Sequence, residues 1–172
     1  LDHREVNGKT FLVIYAMRDN QLYARTRVLA KDKSFYGHEI PLNTYMISFE
    51  AADSYGLKGV ENIFTITMHP EACGVVGGDA VLFDTGERLK EVMRTSCMSE
   101  AGFWFSESIE FKGSDYWEEN VAYFSREQGE YMDDSMDWTQ TLTNTIKITW
   151  DGEKFTPDVG KFNFELEEED EE

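Results

Sequence analysis

Residues 143–156 read T-N-T-I-K-I-T-W-D-G-E-K-F-T, and this stretch decides the fold. Two alternating segments meet at Asp151-Gly152, and Asp-Gly between alternating apolar residues signals a hairpin, because a type I′ turn needs φ > 0 at both central positions. A two-residue loop predicts Trp150 opposite Glu153, Ile148 opposite Phe155 and Ile146 opposite Pro157. Thr149 then meets Lys154, and Lys147 meets Thr156, on the other face. Apolar side chains gather on one side of the ribbon and polar ones on the other, as a half-buried antiparallel sheet requires.

The same reading extends toward the N-terminus. Residues 9–17 (K-T-F-L-V-I-Y-A-M) form a nearly continuous apolar run, expected to be a strand buried on both faces or nearly so. After the polar loop 18–21, residues 22–30 make the second strand of a hairpin, with Tyr23, Arg25, Arg27 and Leu29 sharing one face. Two arginines beside a tyrosine could hold an anion, but an outer face snorkelling into water is the better reading. Residues 31–43 are polar and contain Gly37 and Pro41, which predicts a loop. Further strands are expected at 45–50, 62–68, 80–84, 101–111, 119–125 and 161–166, with a glycine-bearing loop at 69–78. Residues 87–93 have helical spacing in Leu89, Val92 and Met93, yet they also complete a hairpin after Asp84-Thr85-Gly86, and the hairpin is preferred between strands. A faint echo links 47–55 with 109–116 and 61–63 with 119–121, as repeated antiparallel strands would give. The fold class is therefore all-β, mainly antiparallel sheet built from successive hairpins and arranged as a sandwich, a barrel or a propeller-like array. A single β-rich domain spans 1–166, and the acidic tail 167–172, which has nothing to bury, is expected to be disordered.

Thirty-four acidic residues against 16 basic ones give a formal charge of −18. That balance argues against a nucleic-acid backbone as partner and fits a basic protein, a cation or plain solubility better. The excess is local: residues 115–137 and 165–172 carry −14 of it, whereas the first 49 residues hold seven bases and five acids. No apolar run reaches the roughly 18–20 residues of a membrane-spanning helix. A chain starting at Leu1 with no initiator Met fits removal of a signal peptide or simple trimming, and an exported protein is the favoured expectation. Cys73 and Cys97 are either one disulfide of such a protein or two core thiols.

The segments 146–155 (I-K-I-T-W-D-G-E-K-F) and 81–89 (V-L-F-D-T-G-E-R-L) resemble β-hairpin units of exported, propeller-like bacterial proteins of unassigned function. The resemblance covers under a quarter of the chain and carries no catalytic motif. It implies a periplasmic or secreted location in the bacterial envelope and sheet-rich architecture.

Several constellations are candidates for chemistry. His69, Cys73 and Cys97, with His38, do not have zinc-site spacing. Asp133, Asp134, Asp137 and Glu130 supply hard oxygens for calcium without the EF-hand pattern, so a solvated acidic loop is preferred. Tyr116, Trp117, Tyr131 and Trp138 sit among these acids, where they could stack on sugars, anchor a protein or fill the core. No cofactor is implied, and no G-x-S-x-G, H-E-x-x-H or P-loop is present. The expected function is non-enzymatic binding of a basic protein, of inhibitor or immunity type, through Tyr116, Trp117, Tyr131, Asp133, Asp134, Asp137 and Trp138. A carbohydrate- or calcium-binding module and a hydrolase with paired carboxylates are the alternatives.

Overall fold

The computed structural model describes residues 2–32, 34–111, 118–132 and 137–159, with the backbone alone at 131–132 and 137–140. It consists of three successive antiparallel meanders. Sheet A holds β1 (Asp2–Val6), β2 (Lys9–Arg18), β3 (Gln21–Leu29) and β4 (Phe35–Leu42) in chain order. Sheet B holds β5 (Ile47–Asp53), β6 (Asn62–Met68), β7 (Gly78–Asp84) and β8 (Leu89–Arg94), again in chain order. Sheet C runs β9 (Cys97–Glu100), β10 (Phe103–Phe111), β11 (Val121–Met132), β12 (Asp137–Trp150) and β13 (Phe155–Thr156). The all-β, hairpin-built architecture expected from alternation is therefore what the chain adopts, including a β7–β8 hairpin at the segment with helical spacing. The expected strand 161–166 and the tail 167–172 lie outside the described residues.

The turns follow local chemistry. Asn7-Gly8 (φ 51° and 75°) joins β1 to β2, and Asp19-Asn20 (φ 50° and 62°) joins β2 to β3, each pair supplying the two positive φ values of a type I′ loop. The closing hairpin differs from its expected register. Trp150 pairs with Phe155 and Thr149 with Thr156, so the ladder is displaced by two residues and Ile148 is not directly opposite Phe155. The cause is the Asp151 side chain. Its Oδ1 accepts the backbone N–H groups of Glu153 (2.7 Å) and Lys154 (2.9 Å), which places Asp151 before the turn and Gly152 (φ 107°) inside it. A displacement of two leaves every side chain on its expected face, so Ile148, Trp150 and Phe155 still enter one core.

Two further expectations are corrected. Residues 35–42 are not loop but the edge strand β4. Pro41 is tolerated there because an edge strand need not donate on its outer side, and Gly37 lets the backbone approach Thr26, whose carbonyl a Cβ would meet. Nor is β2 buried on both faces: Phe11 and Val13 are buried while Ile14 and Met17 are exposed. The strands with two covered faces are β6 and β7 of sheet B.

Sheet B is the middle layer. Its Phe64, Ile66, Met68, Ala80 and Leu82 pack against Phe11, Val13, Ala24, Val28 and Ile40 of sheet A. From its opposite face Ile63, Val81 and Phe83 meet Ala122, Phe124, Ile148 and Trp150 of sheet C. Alternation along β6 and β7 thus serves two cores at once, as period-two side chains allow. The described parts of the echo hold matching places, β5 and the start of β6 in sheet B and the end of β10 and the start of β11 in sheet C. In each the residue before the second strand bonds to the end of the following one, Glu61 N–H to Asp84 C=O (2.7 Å) and Trp150 N–H to Asn120 C=O (2.7 Å).

Candidate functional site: the β11–β12 hairpin

Part of the acidic and aromatic segment lies on the longest hairpin among the described residues. β11 and β12 pair from Val121↔Thr149 to Met132↔Asp137, with an irregularity between Glu130 and Tyr131, after which the register sets Tyr131 opposite Trp138. β10 accompanies β11 only as far as the Phe103↔Glu130 pair. Beyond Glu130 the ribbon is therefore two-stranded among the described residues. Tyr116, Trp117, Asp133 and Asp134 lie outside the described residues, and Tyr131, Asp137 and Trp138 are placed by backbone alone.

The root of the ribbon is described in full. Arg126 of β11 reaches Glu107 Oε1 (3.3 Å) and lies over the Phe105 ring at 4.4 Å, so its charge is spent locally. Glu107 also accepts the Ser96 N–H (2.8 Å). On the opposite face Lys147 Nζ donates to Glu118 Oε1 (2.7 Å) and Tyr123 OH donates to Glu118 Oε2 (3.0 Å). Those two donors hold the Glu118 carboxyl below the usual range, and the Glu118 side chain raises Lys147 in return. Glu127 and Glu130 are exposed near the far end. With Arg126 and Lys147 both paired, the ribbon presents carboxylates.

A polar cluster invisible to sequence reasoning lies between sheets A and B. Asp84, fully buried at the end of β7, accepts from Tyr36 OH at Oδ1 (2.6 Å), from Asn62 Nδ2 at Oδ2 (2.9 Å) and from the Gly86 N–H at Oδ1 (2.9 Å). Lys9 Nζ donates to Asp84 Oδ2 (2.8 Å), to Tyr36 OH (3.0 Å) and to Glu61 Oε2 (2.6 Å). Asn7 Nδ2 donates to Asn62 Oδ1 (2.8 Å) and so extends the network. Burial disfavours both charges, but the hydrogen bonds outweigh it: Asp84 is held below, and Lys9 above, its ordinary value. Burial and the Asp84 carboxylate push Tyr36 up to about 12. An ion pair locked by this many bonds holds its protons rather than exchanging them, and its chemistry is that of a pin joining two sheets.

The remaining candidates disperse. Glu39 takes Arg25 Nε (2.7 Å) and Arg18 Nη2 (2.8 Å), Arg18 lies over Tyr23 (4.5 Å) and Arg27 over Phe35 (5.8 Å), so the arginine face is paired and stacked rather than open for an anion. Cys73 and Cys97 are unbonded in this structure, Cys73 exposed and Cys97 half-buried. The loop before β7 passes Gly77 opposite Cys97 and bonds the Gly74 N–H to Ser99 C=O (2.7 Å), so Cys73 has already run past Cys97. Burial raises the Cys97 thiol, aided by Asp79 and Glu107. His69 Nε2 is bonded to Ser48 Oγ (2.8 Å) while His38 Nε2 is 3.7 Å from Glu91. Among the described residues no three His, Cys, Asp or Glu side chains converge on a metal-sized site. No helix among them is long and apolar enough to cross a membrane.

Compared with protein families, with curated proteins and with solved structures, the chain matches none.

Proposed function

We propose that the chain is an exported, non-enzymatic binding domain of the bacterial envelope that captures a basic protein with the far end of the β11–β12 ribbon. The observation that carries this reading is the ladder continuing to Met132↔Asp137 beyond the last β10 pair, with Tyr131 set opposite Trp138 in the register. In sequence, Glu130, Asp133, Asp134 and Asp137 accompany this two-stranded end. Carboxylates gathered on it steer a cationic partner over a Debye length of about 8 Å, while aromatic residues supply the contact area that holds it.

The test begins with capture from envelope extracts at low and at physiological salt, followed by kinetics on the purified partner with polylysine as a charge-only control. The association rate should fall about tenfold or more between the two salt concentrations, and Asp133→Asn with Asp134→Asn and Asp137→Asn should remove that dependence. Trp138→Ala should act on dissociation instead. A salt-independent association rate, or equal affinity for polylysine, overturns the reading.

A further inference from the structure

The two outer faces of the three-sheet stack are unlike each other. Sheet C turns Ser106, Ser108, Thr143, Thr145 and Lys147 to solvent, around the half-buried Trp104 and Tyr123, and Ser125 Oγ bonds Thr145 Oγ1 at 2.8 Å. That face is largely hydroxyls and charge. Sheet A turns out Leu12, Ile14, Leu29 and Phe35, of which Ile14 is 42%, Leu29 41% and Phe35 61% exposed. The register makes them neighbours. Leu29 lies opposite Phe35 on β4, Leu12 opposite Arg27, and Ile14 opposite Arg25, which in turn faces Glu39. A contiguous apolar face with charges at its margin is what an interface presents.

We propose that the outer face of sheet A is the interface of a two-fold dimer, in which a second copy of this chain lays its own Leu12, Ile14, Leu29 and Phe35 against the first. Size supports it. Four strands about 4.8 Å apart and a ten-residue β2 at about 3.4 Å per residue span roughly 600 Å² before side-chain relief is counted. Each partner in an ordinary stable interface buries about 800 Å². The charges of this face are already paired within one chain, Arg25 and Arg18 with Glu39, so they add no net attraction between copies. A two-fold axis sets the same surface against itself, so the apolar side chains of one copy cover those of the other.

The distribution of the net charge of −18 selects this face over the others. Sheet B separates sheet A from sheet C, which holds the acidic ribbon. In a dimer joined through sheet A the two C sheets end five sheet spacings apart, roughly 50 Å at about 10 Å each. Several Debye lengths then lie between the acidic ribbons, whereas any dimer joined through sheet C would press them together. This proposal does not depend on the binding role of the ribbon.

Sedimentation equilibrium of the full chain under reducing conditions tests it, the reductant excluding disulfide dimers through the exposed Cys73. The expected species has twice the 19.9 kDa chain mass, and added salt should strengthen association, since like-charged copies repel less when screened. Ile14→Lys with Phe35→Glu should weaken the dimer about a hundredfold while far-UV circular dichroism stays unchanged, because both side chains are exposed. Thr143→Lys on sheet C should leave the dimer intact. A monomer at every concentration, a dimer indifferent to the sheet A pair, a dimer broken by Thr143→Lys, or association that weakens with salt would each overturn the proposal. The last outcome would instead indicate pairing of the acidic ribbon with a basic surface.

Discussion

Asp84 is the residue on which the joint between sheets A and B turns. It is fully buried, and its two oxygens accept from Lys9, Tyr36, Asn62 and the Gly86 N–H. Asp84→Ala leaves the Lys9 ammonium without its main partner in a desolvated place and should cost about 3–5 kcal/mol, read as the shift in urea unfolding free energy. The same network makes stability depend on pH at both extremes. The folded value of Asp84 is lowered, so its contribution is complete above the unfolded value of about 3.9 and is lost as pH falls through the folded one. Tyr36 is pushed up to about 12 on folding, so its contribution is complete below the unfolded value of about 10 and is lost as pH rises toward 12. The urea midpoint should therefore decline from about pH 10 to 12, and Tyr36→Phe should make that decline shallower; an unchanged slope would detach Tyr36 from the network. None of this was legible in sequence. Lys9 opens an apolar run and Asp84 closes one 75 residues later, so each passes for an ordinary strand-end residue until the sheets are stacked.

At the level of strands and turns, alternation was a good guide where one face is wet and a poorer one elsewhere. It located β3, β10 and the β12–β13 hairpin, because period-two patterning is what a half-buried ribbon needs, while short runs of β-forming residues marked β2, β6 and β7. It misjudged β2 as doubly buried, since Ile14 and Met17 are apolar yet exposed, and hydrophobicity does not reveal which sheet lies in the middle. β1 escaped notice because D-H-R-E-V is almost wholly polar, although Asn7-Gly8 advertised the turn that follows it. β4 escaped because Gly37 and Pro41 are loop residues by composition and edge residues by use. Gly37→Ala tests that use. Its φ is not positive, so the added Cβ causes no backbone strain of the left-handed kind, but it is driven onto the Thr26 carbonyl and must part β3 from β4. A loss of about 1–3 kcal/mol is expected, with amide protons of β4 exchanging faster than those of β2. A neutral substitution would mean that the close approach is not needed.

Across the whole molecule the decisive feature is that one sheet belongs to both cores. Phe11 of sheet A stacks on Phe64 of sheet B with ring centroids 5.5 Å apart, and Phe83 of the same sheet meets Trp150 of sheet C edge-on at 4.9 Å. Phe64 and Phe83 sit on adjacent antiparallel strands, β6 and β7, and point to opposite sides. Loss of packing on one side removes the support of strands that build the other, so the two cores should unfold in a single transition. Phe11→Ala deletes a fully buried ring from the A–B core and should cost about 3–5 kcal/mol. Trp150 is the reporter of the B–C core, where it is buried and its Nε1 donates to Lys58 C=O at 2.9 Å. With Trp104, Trp117 and Trp138 replaced by Phe so that Trp150 fluoresces alone, Phe11→Ala should move its urea midpoint by about 1 M or more, given a slope of about 1–3 kcal/mol/M. A midpoint that stays in place while amide protons of β2 and β3 lose protection would show two cores melting independently, with sheet B acting as a wall between them rather than a shared layer.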